Sequence, residues 1–252
     1  MRKETFAQLL LLAFAFPAAV PARAQGDPFA DAVARTKSRD PEARIEGVEV
    51  LGALRGPKSV AVLASLLSAD ADGNVRQSAA TGLGRLGDRS AAPALIAALK
   101  DVSAPTRFAA VRSLGALRAG TAVPALSGLL ADPDPSMRRT AAQELGMIGN
   151  PSAGAALKAA LNDADEGTRL EAADALGRIG DSGGLAAAQA GLASKDPLSR
   201  RRAAYALARA GDASALAALD AAFAGEKDRA TRSALTEARA RLRARLGVKK
   251  AK

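Results

Sequence analysis

Residues 75–101 read VRQSAATGLGRLGDRSAAPALIAALKD, and this stretch decides the fold because altered copies of it recur along the chain. Its frame, Arg-x-x-Ala-Ala-x-x-Leu-Gly, begins at Arg44, Arg76, Arg107, Arg138, Arg169 and Arg200, with a degenerate copy near Thr231. The spacing is 32 residues once and 31 thereafter. A period of that length marks one supersecondary unit repeated in a stack, and excludes a single core built from unrelated elements.

Within a unit the apolar residues recur at three and four, the spacing of one face of a helix. Counting from the arginine, offsets 3, 4, 7 and 10 give Ala79, Ala80, Leu83 and Leu86, then Ala110, Val111, Leu114 and Leu117, then Ala141, Ala142, Leu145 and Ile148. A second, shorter stripe follows, Pro93, Leu95, Ala98 and Leu99 in one unit and Pro124, Leu126, Leu129 and Leu130 in the next. Period-two alternation is nowhere sustained, so no strands are expected. Asp-Pro pairs at Asp40-Pro41, Asp134-Pro135 and Asp196-Pro197 place a capping carboxylate before a proline whose missing N–H is harmless in a first turn. Gly87, Gly149, Gly180 and Gly211 offer the left-handed conformation that ends a helix. Inside the helix, offset 8 is Gly52, Gly84, Gly115, Gly146, Gly177 and finally Ala208. Mid-helix glycine costs about 1 kcal/mol relative to alanine, so its recurrence predicts close approach of neighbouring helices. One hairpin cannot bury both of its broad faces alone, and the units must stack into a quasi-one-dimensional array.

The unit resembles the short HEAT-like repeat of the phycobilin-lyase type. That resemblance implies an all-α fold, a right-handed α-α superhelix of the HEAT/armadillo kind with about six to seven helical hairpins. The expected layout is a signal peptide over 1–24, an N-terminal capping helix over 25–43, repeats over 44–230, and a C-terminal capping helix with a basic tail over 231–252. It further implies that the aligned Arg76, Arg107, Arg138, Arg169 and Arg200, with Asp101, Asp132 and Asp163, form a structural ladder tying adjacent loops together. Some relatives attach bilins to proteins, so a bilin-lyase-like chaperone is a remote alternative; the paucity of aromatic side chains and the expected export both count against it.

Export is read from the N-terminus. Arg2 and Lys3 precede an apolar run from Phe6 to Val20, and Ala22-Arg23-Ala24 fits a cleavage site, so a mature start at Gln25, no later transmembrane segment, and a periplasmic or secreted location are expected. The chain has no cysteine, so packing alone must stabilise it. Nor has it a histidine, which removes the usual zinc, haem and acid–base chemistry; no cofactor, no metal and no catalytic residue is assigned. HEAT-like di-iron hydroxylases rely on His-Glu pairs that this chain lacks. Asp70-Ala71-Asp72-Gly73-Asn74 has the look of part of a calcium loop, yet it lacks the closing glutamate and reads as a helix cap.

The net charge of +10 is unevenly placed: residues 226–252 hold ten basic and three acidic groups, whereas 25–225 hold 23 and 22. Arg239, Arg241, Arg243, Arg245, Lys249 and Lys250 are therefore the candidate anion-binding residues, facing outward from a last helix that turns Leu235, Leu242 and Leu246 inward. Offsets 1 and 5 vary freely and are where specificity would be written; Phe108, Arg112, Arg139, Leu170, Arg201 and Tyr205 are the candidate partner-binding residues. The expected function is a non-enzymatic scaffold that binds another protein. The alternative is an envelope-surface binder that sets the basic C-terminal helix on anionic lipid or polysaccharide; nucleic acid is disfavoured by export and by the lack of base-reading side chains.

Overall fold

The computed structural model describes residues 27–248, and within them the chain forms fourteen α-helices and no strand. The expected signal segment, Lys249 and Lys250 lie outside the described residues. A short α1 (Pro28–Arg35) leads into a series of hairpins. Their first helices are α2 (Pro41–Ala53), α4 (Gly73–Leu86), α6 (Ala104–Ala116), α8 (Pro135–Ile148), α10 (Glu166–Arg178) and α12 (Pro197–Ala210). Their second helices are α3 (Pro57–Ala69), α5 (Ala92–Ala98), α7 (Val123–Gly128), α9 (Gly154–Ala160), α11 (Leu185–Gly191) and α13 (Ala213–Gly225), and α14 (Arg229–Leu246) closes the stack. The all-helical solenoid expected from the repeat is what the chain builds.

Every first helix except α6, whose N-cap Ser103 makes no side-chain capping bond, starts at an acceptor, and each stops at a turn. Asp40, Asp72, Asp134, Asp165, Asp196 and Asp228 accept from backbone N–H groups in the first turns of α2, α4, α8, α10, α12 and α14, each worth about 1 kcal/mol. At the other end Gly87, Gly149 and Gly180 are left-handed as expected, but Gly211 is extended at φ −65°. In the two remaining units the left-handed position is taken by arginine, Arg55 at φ 39° and Arg118 at φ 48°.

The core lies between the two layers. Leu51, Leu83, Leu114, Leu145, Leu176 and Leu207, all at offset 7, are fully buried, and Leu63, Leu95, Leu126 and Leu157 meet them from the second helices. Burying each such side chain contributes about 1.5–3 kcal/mol. Pro93 and Pro124 are exposed instead of joining the stripe, because each stands in the first turn of a short helix entered through a 3-10 turn. The offset-8 glycines do let neighbouring helices close up: a Cβ on Gly84 would lie 2.5 Å from Ser113 Oγ, and one on Gly146 would lie 2.9 Å from Ala175 Cα. First helices therefore pack tightly against one another through the series, while second helices touch their counterparts much less. A stack whose members are closer in one layer bends towards that layer, so the first helices form the inner face.

Candidate binding face

The aligned arginines are structural, as the repeat suggested, but the ladder is incomplete. All of them, and Arg232 in the degenerate last copy, donate through Nη1 to the carbonyl six residues back: Arg44 to Ser38, Arg76 to Asp70, Arg107 to Asp101, Arg138 to Asp132, Arg169 to Asp163, Arg200 to Ser194 and Arg232 to Glu226. Four also form a two-pronged pair with the next loop's acid, Arg44 with Asp70 at 2.8 Å, and Arg76 with Asp101, Arg138 with Asp163 and Arg200 with Glu226, each at 2.7 Å. Each fork thus joins two successive loops. The Arg76 and Arg138 forks hold the carboxyls of Asp101 and Asp163 below the usual carboxylate range, and the Arg200 fork does the same for Glu226.

Two rungs depart from the pattern. Among the described residues Arg107 makes no ion pair and Asp132 meets no arginine fork; in that unit α7 gives way to a 3-10 turn over Leu129–Ala131, and Asp132 follows it. For Arg169 the corresponding residue is Ser194, which donates instead to Glu166 Oε2 at 2.9 Å. Asp70 and Asp72 of the calcium-like string are engaged by Arg44 and by the first turn of α4, in accord with a capping role.

The inner face carries a furrow made of four neighbouring depressions that share lining residues. It begins in a depression of about 620 Å³ over α4, α6 and α8, lined by Gln77, Arg85, Phe108, Arg112 and Thr140. Arg112 also lines the next depression, which Arg139, Gln143, Glu171 and Arg202 complete. Glu171 and Arg202 recur in a third, with Asp174, Tyr205 and Arg209. Arg178 and Arg209 then open into a basin of about 710 Å³ at the C-terminal ends of the inner helices, where Arg118, Arg241 and Arg245 also stand. Residues from five successive first helices and their turns share that basin, consistent with a face curved inward.

This places most of the expected partner-binding residues together. Phe108 is half-buried in the furrow wall, Arg112 is exposed there, Arg139 lies 3.4 Å from Asp165, and the Tyr205 hydroxyl donates to Glu237 Oε2 at 3.2 Å. Arg201 is half-buried and lines none of these depressions. Leu170 is not a surface anchor: it is 1% exposed, with its methyls against Gly191 of α11, because offset 1 lies on the flank of the helix and an aliphatic side chain there turns inward. The outward-facing basic helix also needs correction. Arg239 occupies offset 7 from Arg232, the place of a core leucine elsewhere; it pairs with Asp220 of α13 and lies over the Phe223 ring at 4.2 Å. Arg243 takes the same carboxylate at 2.8 Å, and Leu246 is exposed, not inward. Arg241 remains exposed, paired with Glu237, and Arg245 donates to the Gly211 carbonyl.

Two acids on this face were not singled out from sequence. Glu144, at offset 6, is buried over Gly115 in a position that holds Gly82, Ser113, Ala175 and Ala206 in other units. Burial pushes its carboxyl up to about 7 against the pull of Arg112 and Arg178. Burial also raises Glu171, although Arg202 pairs with it at 2.7 Å.

Stacked helical hairpins with a furrow along the inner layer define an α-solenoid. The family model for HEAT repeats matches residues 29–107, 92–173 and 154–240, and the chain belongs to that family. Among solved structures it is similar to YibA of Escherichia coli, at 20% identity and TM-score 0.63 over 88% of this chain and 83% of that one. It is also similar to the CpcE–CpcF complex of phycocyanin lyase from Nostoc, at 25% identity and TM-score 0.58 over 90% and 98%. A computationally designed armadillo repeat protein for modular peptide recognition shares the fold, at 17% identity and TM-score 0.50 over 72% and 99%. No curated protein matches the sequence.

Proposed function

We propose that this chain is a non-enzymatic scaffold, exported to the cell envelope or secreted, that holds an extended segment of another protein along its inner face. The observation that carries the reading is a row of four neighbouring depressions along the inner helices, from Gln77 to Arg245, each sharing lining residues with the next. A polypeptide suits it in length and in its mixture of polar and apolar lining. A tetrapyrrole would need broad aromatic or apolar cover, and Phe108 and Tyr205 are the only aromatic linings of these depressions among the described residues. Export rests on the N-terminal sequence from Arg2 to Ala24, and the non-catalytic reading on a chain without histidine or cysteine.

The test is site-specific photo-crosslinking in the native host. A photoreactive residue replacing Gln77 or Gln143 in the furrow is expected to capture one discrete partner, while the same residue at Ala97 on the outer layer captures none. Crosslinks confined to the outer layer would refute the reading. N-terminal sequencing of the protein from an envelope extract tests export, with Gln25 the expected first residue.

A further inference from the structure

We propose that the basin at the C-terminal edge of the inner layer is a docking site for a carboxylate-rich stretch of the bound polypeptide. The inference rests on the furrow holding a protein segment, and it adds the chemistry of that segment. Arg118, Arg178, Arg209, Arg241 and Arg245 line the basin, and among the described residues no acidic side chain does. Asp174 holds Arg178 and Arg209, and Glu237 pairs with Arg241, so the five arginines exceed these two carboxylates by three charges, and a local excess of like charge favours an anion that answers it. Two local features show that the cluster is held open. Asp174 accepts Nε of both Arg178, at 2.7 Å, and Arg209, at 2.6 Å. One carboxylate therefore anchors two guanidiniums by their inner nitrogens and leaves the terminal nitrogens of Arg209 without a partner. Arg118 is exposed and left-handed at φ 48°, in the position filled by Gly87, Gly149 and Gly180 in sister units and by Arg55 in one unit away from the basin. A side chain there costs energy that glycine would not, and what it adds is a guanidinium at the basin's edge.

The choice of residue and the shape select the ligand. All five cations are arginines, whose planar forks match carboxylates two hydrogen bonds at a time. Among the described residues no aromatic side chain lines the site to stack on unpaired bases. The basin adjoins the furrow at Arg178 and Arg209, which line both, so a polypeptide lying in the furrow reaches its edge.

The experiment measures fluorescence anisotropy of a labelled deca-glutamate peptide with the mature chain from Gln25 to Lys252. Arg118→Gly and Arg209→Gln are each expected to weaken binding about tenfold, the order of one charge-assisted contact. Arg39→Gln, which removes one exposed charge far from the basin, should change it less than about twofold. Arg118→Gly is also expected to melt higher than wild type, so its loss of binding cannot be a loss of fold. The proposal is overturned if deca-glutamate does not bind, if Arg39→Gln weakens binding as much as the basin variants, or if oligothymidylate or phosphatidylserine vesicles bind more tightly through the same arginines. Furrow crosslinks to a partner that persist unchanged in Arg118→Gly and Arg209→Gln would sink this inference and leave the scaffold reading standing. Absence of furrow crosslinks in wild type would sink the scaffold reading itself.

Discussion

Glu144 offers the sharpest test of the packing described here, because its environment makes stability depend on pH in a direction opposite to that of the ladder acids. The carboxyl is buried over Gly115, and its value rises from 4.5 to about 7, chiefly through burial, with Glu171 adding to the rise and Arg112 and Arg178 opposing it. A raised folded-state value means that the native protein binds a proton more tightly than the unfolded chain. Stability from this group is complete below about pH 4.5, declines as pH rises, and is fully lost a little above pH 7. The interval corresponds to about 3 kcal/mol. Glutamine keeps the shape and cannot ionise, so Glu144→Gln should match wild type near pH 5 and exceed it by about 2–3 kcal/mol near pH 8. Urea denaturation followed by circular dichroism at intervals across that range measures the difference. Asp101 and Asp163, held below their ordinary values, lose their contribution only as pH falls below about 4, outside the window. If the two midpoints run parallel from pH 5 to 8, the carboxyl is hydrated and the close approach of α6 and α8 around it is wrong.

Three further comparisons bear on the fold and the ladder. Gly84→Ala drives a Cβ to 2.5 Å from Ser113 Oγ and should cost about 1–3 kcal/mol, whereas Gly128→Ala, with open space around it, should add up to about 1 kcal/mol; thermal melts of the pair check this. Asp163→Asn removes the partner of Arg138 and should destabilise by about 1–3 kcal/mol, while Asp132→Asn, which faces no arginine fork, should cost under about 1 kcal/mol in urea titrations. Leu170→Ala should lower stability by about 2–5 kcal/mol, as a core truncation does, and leave furrow crosslinking intact where the protein is folded.

The fold was legible because its information repeats. Every unit restates the same aliphatic spacing, and an error at one copy is corrected by the others, so helices, caps and close-packed glycines could be read from Arg44 onward. The site was only partly legible, since it is written in departures from the repeat. Phe108, Arg112, Arg139 and Tyr205 were found because offsets 1 and 5 vary. Leu170 was misplaced because variability alone does not say which way a flanking side chain turns. Arg178 and Arg209 were missed although offset 9 lies on the same helical face as offsets 2 and 5. Arg118 left a clearer trace, an arginine where sister units have a left-handed glycine. Arg239 was read as solvated because charge suggests exposure, yet the register from Arg232 puts it at a core position.

The near balance of 23 basic and 22 acidic groups over residues 25–225 also concealed a separation in space. In a stack of hairpins the inner helices run parallel, so all their N-termini lie along one edge and all their C-termini along the other. Aspartates are drawn to the first edge by unpaired N–H groups, and there they cap helices or meet the ladder arginines. Arginines are favoured at the second edge by the negative end of the helix dipole, at about 0.3–1 kcal/mol each. Repetition adds these local preferences into one border where aspartates and ladder arginines offset each other and a second that is rich in arginine, on a chain that sums to almost nothing. The dipole accounts for Arg85, Arg178 and Arg209, which stand in or just after last turns. It does not account for Arg118, which accepts an unfavourable backbone conformation, nor for Asp174 holding two guanidiniums from behind. Arg55 takes the same conformation away from the basin, so Asp174 holding two guanidiniums is the feature that the proposed docking adds to helix capping.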